Sequence, residues 1–167
     1  MMKRKFDYNL NFSEINFREQ PELYVYTHTE KGVLLIEPYK SEILPHWRFK
    51  TPEIARESSQ KIYEMFLEYR WQRDFVGMDM ARKFLQMGIT RARRYANHPS
   101  GKKYQGPVPA DKKGVSGAHG RAELPKGFDA AKAESARIFQ EKYYLAKTDE
   151  IYQKLLKEHK EKYENGD

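Results

Sequence analysis

Residues 74–97 read DFVGMDMARKFLQMGITRARRYAN, which has the pattern of a long helix. Asp74 is a favourable N-cap, because its side-chain oxygen can accept a hydrogen bond from an N–H group of the first turn. Apolar residues recur behind it at helical spacing, and small residues would allow a neighbouring element to approach closely. The apolar residues are Val76, Met80, Phe84 and Met87, and the small ones are Gly77, Ala81, Gly88 and Ala92. We predict a helix that runs to about Asn97 and ends at the HPSG sequence of residues 98–101.

Most of the excess positive charge of the protein lies in this helix and just after it. Between Val76 and Lys103 there are seven basic residues and one acidic residue, Asp79, in a chain whose net charge is +7. The basic residues are Arg82, Lys83, Arg91, Arg93, Arg94, Lys102 and Lys103. A concentrated cationic surface indicates a polyanionic partner, most often the phosphates of nucleic acid.

A helical projection sorts these charges by direction. At about 100° per residue, four of the helical cations lie within about 120° of one another, whereas Arg91 points to about 180°. The four that share one side are Arg82, Lys83, Arg93 and Arg94. We predict that these four bind phosphates and that Lys102 and Lys103 extend the contact. An ordinary solvated helix face is the alternative, and a favourable interaction with the helix dipole would also explain Arg93 and Arg94.

A second helix is predicted immediately upstream. Thr51 offers an N-cap, Pro52 occupies the first helical position and Glu53 places an acid in the first turn. An apolar stripe follows at helical spacing. It consists of Ile54, Ile62, Phe66 and Tyr69.

The N-terminal third indicates β-structure. Residues 24–29, YVYTHT, are rich in β-forming residues, residues 30–32 form a plausible turn, and the apolar run 33–36 is stopped by Pro38. This pattern predicts a hairpin. An isolated hairpin is only marginally stable, so we expect it to pack on the helices.

Downstream, the composition changes sharply between residues 98 and 127. This segment contains six Gly, four Pro and six Lys or Arg. So many helix- and strand-breaking residues predict a long basic loop, in which Tyr104 is a candidate for stacking on a base.

Residues 128–167 are helical again, and residues 147–149 indicate a break between two helices. We therefore expect one domain, with an α+β core in residues 1–127 and a C-terminal helix or helix pair in residues 128–167. The expected inward-facing residues of the C-terminal part are Ile138, Leu145, Tyr152, Leu156 and Tyr163.

Residues 46–50, HWRFK, form a second candidate site in which aromatic and basic residues alternate. In a nucleic-acid site Trp47 would stack on a base, and His46, Arg48 and Lys50 would make secondary phosphate contacts. The alternative is that Trp47 and Phe49 anchor this segment to the helices while the basic residues face water.

Several classes of protein are excluded or disfavoured. The absence of cysteine excludes disulfides, thiolate catalysis and Cys-ligated zinc, and it fits a cytoplasmic protein. No apolar run reaches the roughly 20 residues of a membrane span, and none follows the basic start as a secretory signal requires. The five histidines show no pair at ligand spacing, and the glycines at 114, 117 and 120 lack the other parts of a phosphate loop. We predict no metal and no cofactor.

Several stretches resemble the family called domain of unknown function 4385, which occurs in bacteria, their phages and some eukaryotes. The resembling stretches are residues 6–8 (FDY), 21–24 (PELY), 32–50 (GVLLIEPYKSEILPHWRFK), 74–88 (DFVGMDMARKFLQMG) and 91–97 (RARRYAN). The resemblance covers most of the chain and implies one small intracellular domain. It implies no activity, so it brings no functional residues with it.

The sequence thus predicts an α+β fold and favours a non-enzymatic binder over an enzyme. We expect binding of DNA or RNA through the phosphate backbone, without sequence preference, because no recognition-helix or zinc-finger pattern is present. One alternative is an adaptor or inhibitor that binds an acidic protein surface. Another is a metal-dependent nuclease, whose Mg²⁺ ligands would come from Asp7, Glu37, Glu42, Asp74 and Asp79.

Overall fold

The computed structural model describes residues 4–164, and within this range the fold is helical. Residues 1–3 and 165–167, the outer ends of the two predicted segments, lie outside the described residues. The helices are α1 (Tyr39–Ile43), α2 (Pro52–Trp71), α3 (Phe75–Asn97), α4 (Ala130–Lys147) and α5 (Glu150–His159). Short 3-10 turns occur at Phe12–Glu14, Pro21–Leu23, Leu44–His46 and Ala110–Lys112, and a π-helical turn, Lys160–Glu164, continues α5. None of these helices combines the length and the apolarity needed to cross a bilayer.

The predicted helix starts are confirmed, because each depends on residues close together in the sequence. Thr51 Oγ1 accepts a hydrogen bond from the Ile54 N–H at 3.2 Å, and Asp74 Oδ1 accepts one from the Gly77 N–H at 3.1 Å. The C-terminal region is the helix pair that residues 147–149 indicated. Asp149 caps its second member.

The predicted inward faces are confirmed in α3 and only partly elsewhere. Val76, Met80, Phe84 and Met87 are all buried. In the C-terminal pair Ile138, Tyr152 and Leu156 are buried, but Leu145 is exposed. The outer face of α4 therefore includes a position that the apolar pattern assigned to the core.

Helix α3 lies at the centre of the molecule and contacts α1, α2, α4 and α5. Every residue from Phe75 to Leu85 is buried, so this part of the helix is covered on all sides. The small residues make that possible. A Cβ atom on Gly77 would lie 2.6 Å from the Tyr69 ring, and one on Gly88 would lie 2.3 Å from the Phe139 ring. The aromatic rings of α2 and α4 thus pack directly on the α3 backbone.

The predicted α+β fold with an N-terminal hairpin is wrong. Across residues 4–164 the only β-type pairing is an isolated antiparallel bridge between Tyr104 and Glu123, far from the predicted hairpin. Residues 24–27 belong to no helix, strand or turn, and residues 31–35 form consecutive turns. In those turns the Val33 N–H donates to the Glu30 carbonyl and the Leu35 N–H donates to the Gly32 carbonyl.

No hairpin forms because side chains, and not a second strand, make the hydrogen bonds to the backbone of residues 24–31. Arg82 donates to the carbonyls of Thr27 and Thr29 at 2.8 Å each, and Lys83 donates to the Lys31 carbonyl at 2.7 Å. From the other side the Tyr24 carbonyl accepts from His159 at 2.8 Å, and the Tyr26 N–H donates to Glu164 at 3.0 Å. A buried backbone must pair its polar groups, and here α3, the end of α5 and the π-helical turn supply the partners.

Residues 98–127 form a loop whose two ends meet. The Gly127 N–H donates to the Asn97 carbonyl at 2.6 Å, and the Asp129 N–H donates to the Ala96 carbonyl at 2.8 Å. Gly101 turns the chain away from α3 at a φ of 77°, where a Cβ atom would lie 2.6 Å from the Tyr95 ring. The chain therefore leaves the end of α3 and returns to the same place before α4 begins.

We predict that Gly88→Ala destabilises the protein by about 1–3 kcal/mol, because the added methyl group overpacks the contact between α3 and the Phe139 ring. The sign is diagnostic, since Gly→Ala inside a helix ordinarily stabilises by roughly 1 kcal/mol. Urea denaturation measures the free energy of unfolding. Gln60→Ala, at an exposed position of α2, is the control and should change stability by less than about 0.5 kcal/mol. A Gly88→Ala protein at least as stable as the parent would contradict this packing.

Candidate functional site

Two of the predicted phosphate-binding residues, Arg82 and Lys83, do not lie on an exposed face. Their exposed fractions are 2% and 0%, because the segment 24–31 covers this half of α3. Their side chains are bonded to the backbone of that segment. We correct the expectation accordingly: both are structural cations that hold the N-terminal segment, and neither can reach a phosphate.

The partner of these buried cations is Asp79, one turn earlier on α3. Asp79 Oδ1 accepts hydrogen bonds from Arg82 Nη2 at 2.6 Å and from the Tyr152 hydroxyl at 2.6 Å, and Oδ2 accepts one from the Tyr24 hydroxyl. Burial alone would raise the pKa of Asp79. The charges of Arg82 and Lys83, together with the two tyrosine hydroxyls, hold that pKa below its usual value. The carboxylate is therefore ionised in the core and joins three parts of the chain.

Lys83 has a less favourable environment than Arg82. Its Nζ donates to the Lys31 carbonyl and lies 5.0 Å from the centre of the Tyr24 ring. Burial, opposed by the charge of Asp79 and reinforced by that of Arg82, lowers the pKa of Lys83 to about 7. Near neutral pH this side chain is close to the point at which it loses its proton.

The exposed positive charge lies farther along α3, in an open cleft of about 960 Å³ that we call the basic cleft. One wall is the C-terminal half of α3 and another is the loop 98–127, and Thr29 and Glu30 also line the cleft. The α3 wall consists of Gln86, Thr90, Arg91 and Arg94, and the loop wall of residues 101–104, 106–108, 114–117 and 121. A rigid helix therefore faces a glycine-rich segment across the cleft.

Five cations and one carboxylate line the basic cleft. The cations are Arg91, Arg94, Lys102, Lys103 and Arg121. Among the described residues, none of the five lies within salt-bridge distance of an acid. The carboxylate, Glu30, accepts a hydrogen bond from the Thr90 hydroxyl at 3.0 Å, and burial raises its pKa. The cleft therefore carries a clear positive excess.

Arg121 also organises the loop wall. Its guanidinium donates to the carbonyls of Ala118, Gly106 and Gly117 at 2.9, 3.2 and 3.1 Å. It lies 5.1 Å from the centre of the half-buried Tyr104 ring, which also has Lys103 Nζ at 5.5 Å. These contacts gather the loop around one arginine.

The structure brings together four of the predicted site residues and separates the others. Arg94, Lys102, Lys103 and Tyr104 all line the basic cleft. Arg93 does not line it; its Nη2 donates to Gln140 Oε1 on α4 at 3.3 Å. Neighbouring arginines of one helix thus face two different surfaces.

The HWRFK segment lies apart from the basic cleft. Trp47 is half-buried, with its ring 5.1 Å from that of Phe49 and 6.3 Å from that of Phe84. This is the anchoring arrangement, not an exposed stacking platform. His46, Arg48 and Lys50 are exposed, and the first two line a small depression with Glu57 and Lys61.

Two cations of the cleft were missed from the sequence. The helical projection excludes Arg91 from the side of Arg82, but it places Arg91 only about 60° from Arg94. A projection measured from Arg94 includes it. Arg121 is one of six basic residues in the loop 98–127, and nothing in the local sequence shows that it returns to α3.

The five carboxylates of the nuclease hypothesis do not converge. Asp79 belongs to the buried network, and Glu42 and Asp74 both lie beside Arg18, whose nitrogens are 2.7 and 3.6 Å from their oxygens. An arginine between two carboxylates opposes the binding of a cation there. Within residues 4–164 no group of three or more His, Asp or Glu side chains is arranged to hold a metal ion.

The family model described as Domain of unknown function (DUF4385) matches residues 7–162 of the chain. No curated protein and no solved structure matches the chain significantly. The match extends from the N-terminal segment into the π-helical turn and includes both walls of the basic cleft.

We predict that raising the pH from 7.5 to 9.5 stabilises the protein relative to its Lys83→Met variant by up to about 2 kcal/mol. The pKa of Lys83 is lowered to about 7 on folding from a usual value of 10.5, so in this window the unfolded chain holds a proton that the folded chain has lost. Stability therefore rises with pH. Urea denaturation of both proteins at both pH values measures the difference. Lys61→Met, at an exposed position, is the control and should follow the parent; if Lys83→Met also follows it, the argument fails.

Proposed function

The chain belongs to the DUF4385 family, a domain of unknown function. We propose that it binds the phosphate backbone of nucleic acid in the basic cleft. The observation that carries the proposal is the convergence of five cations without salt-bridge partners on one cleft that contains a single carboxylate. Cations arranged in this way attract polyanions and release their counterions on contact.

The two walls of the cleft have complementary properties for this role. Arg91 and Arg94 extend from α3, whose backbone is fixed by packing against α4. Lys102 and Lys103 extend from the loop and are exposed, so their long side chains can adjust to a backbone of variable shape. Fixed charges on one side and adjustable charges on the other suit a ligand recognised by its repeating phosphates.

The shape of the site supports binding without sequence preference. A protein reads the base sequence of DNA mainly through a helix or strand that enters a groove and reaches the base edges. The exposed part of α3 is the wall of a cleft and faces the loop 98–127, so this helix is not free to enter a major groove. The side chains offered to the ligand are mainly Lys and Arg, which suit phosphate contacts.

An acidic protein surface would be attracted by the same charges, and this alternative is an outcome of the test. The probes are a labelled single-stranded DNA of 20 nucleotides, its duplex and the corresponding RNA. Competition by an acidic peptide with the same number of charges separates the two partners. A peptide that competes as well as DNA would favour the adaptor hypothesis over nucleic-acid binding.

We predict that Arg94→Glu weakens nucleic-acid binding by at least about tenfold near 0.1 M salt, because it removes one phosphate contact and adds a repulsive charge. The slope of log K against log salt should also become shallower by about one. Fluorescence anisotropy over a salt series measures both quantities. Arg93→Glu is the matched control, since it changes the same charge on the next residue of α3 but outside the cleft, and it should stay within about threefold of the parent. Equal losses in the two variants, or an affinity independent of salt, would rule out this site.

A further inference from the structure

The basic cleft continues into an apolar recess. This recess has a volume of about 560 Å³ and lies between the turns at residues 31–35, helix α3 and the loop 98–127. Its apolar lining consists of Tyr8, Val33, Leu34, Leu35, Met87 and Val115. Residues 29, 30, 91 and 114–116 line both the recess and the basic cleft. The two spaces therefore form one depression, cationic at one end and apolar at the other.

The rim of the recess is held in place by close packing. Gly32 has a φ of 81°, and a Cβ atom there would lie 2.3 Å from the Phe6 ring. The same Phe6 ring contacts the Tyr8 ring edge-on, with 4.9 Å between their centres. Phe6 thus joins the turn that carries Leu34 to the segment that carries Tyr8. The recess is built from parts that are packed on one another.

Three apolar side chains of this lining, Tyr8, Leu34 and Val115, remain exposed to water. Exposed apolar residues scattered over a surface need no explanation, but these three surround one depression beside Arg91. A ligand of phosphates alone would use the cationic end and leave the apolar end empty. A ligand with an anionic backbone and a flat apolar group would use both.

We infer that the cleft takes single-stranded nucleic acid, with one base of the strand entering the apolar recess. The inference rests on the proposed function and adds the class of nucleic acid to it. In a single strand the bases can turn outward and stack on protein side chains, whereas a duplex keeps their faces covered and offers only its backbone and groove edges. The volume of the recess falls within the range of about 300–1,000 Å³ that is typical of small-ligand sites.

The test measures the affinity of the parent protein for three probes. They are a 12-nucleotide oligo-dT strand, an abasic strand with the same number of phosphates, and a 12-base-pair duplex. We expect oligo-dT to bind about tenfold more tightly than the abasic strand, since stacking of one base accounts for a factor of this size or larger. We also expect it to bind more tightly than the duplex. The slopes of affinity against salt should be alike for oligo-dT and the abasic strand, because their charges are the same.

Leu34→Ser tests the recess without changing any charge. We predict that it weakens oligo-dT binding about fivefold or more and leaves binding of the abasic strand within about twofold. Leu145→Ser is the matched control, because Leu145 on α4 is 44% exposed and Leu34 is 46% exposed, and it should change neither affinity. Melting curves monitor folding, and Val115→Ser serves as a second variant if Leu34→Ser lowers the melting temperature.

The outcomes separate the inference from the function on which it rests. Equal binding of oligo-dT and the abasic strand, or tighter binding of the duplex, would overturn the base recess and leave phosphate binding in place. An unchanged preference for oligo-dT in both Leu34→Ser and Val115→Ser would also overturn it. Failure of all three probes to bind would overturn both proposals.

Discussion

The fold depends on one buried carboxylate. Asp79 lies on the part of α3 that is covered on all sides, where an ionised group is stable only with full hydrogen bonding and opposite charge. Its partners are Arg82 on the same helix, Tyr24 from the N-terminal segment and Tyr152 from α5. Breaking a buried charge pair of this kind typically costs about 3–5 kcal/mol. The carboxylate therefore holds the segment of Tyr24 and helix α5 against the central helix.

The same buried network also shapes the basic cleft. Because Arg82 and Lys83 bind the carbonyls of the segment 24–31, that segment runs along α3 and ends beside its exposed half. There it contributes Thr29 and Glu30 to the basic cleft and continues into the turns that line the apolar recess. The buried cations thus lie outside the basic cleft, but they position one edge of it. Core and site are built from one stretch of chain.

The features that could be predicted from the sequence are those decided by neighbouring residues. The caps at Thr51 and Asp74 and the close approach at Gly77 and Gly88 required only local chemistry and helical spacing. The hairpin failed because the residues 24–29 have β-forming side chains, yet their backbone partners are side chains more than fifty positions away. The same limit applies to the cations. A helical projection gives the directions of Arg82 and Lys83 relative to each other, but it cannot show that residues 24–31 cover them. Arg121 joined the site only through the return of a loop that no local pattern reveals.

The hydrogen bond between the loop ends at Asn97 and Gly127 separates the packing of the helices from the course of the loop. Because the chain returns to its starting point, the docking of α4 against α3 does not depend on the path between them. Changes in the length or charge of that path would leave the contact between α3 and α4 in place. The loop wall of the cleft is thus structurally separable from the hydrophobic interior, whereas the α3 wall is part of it.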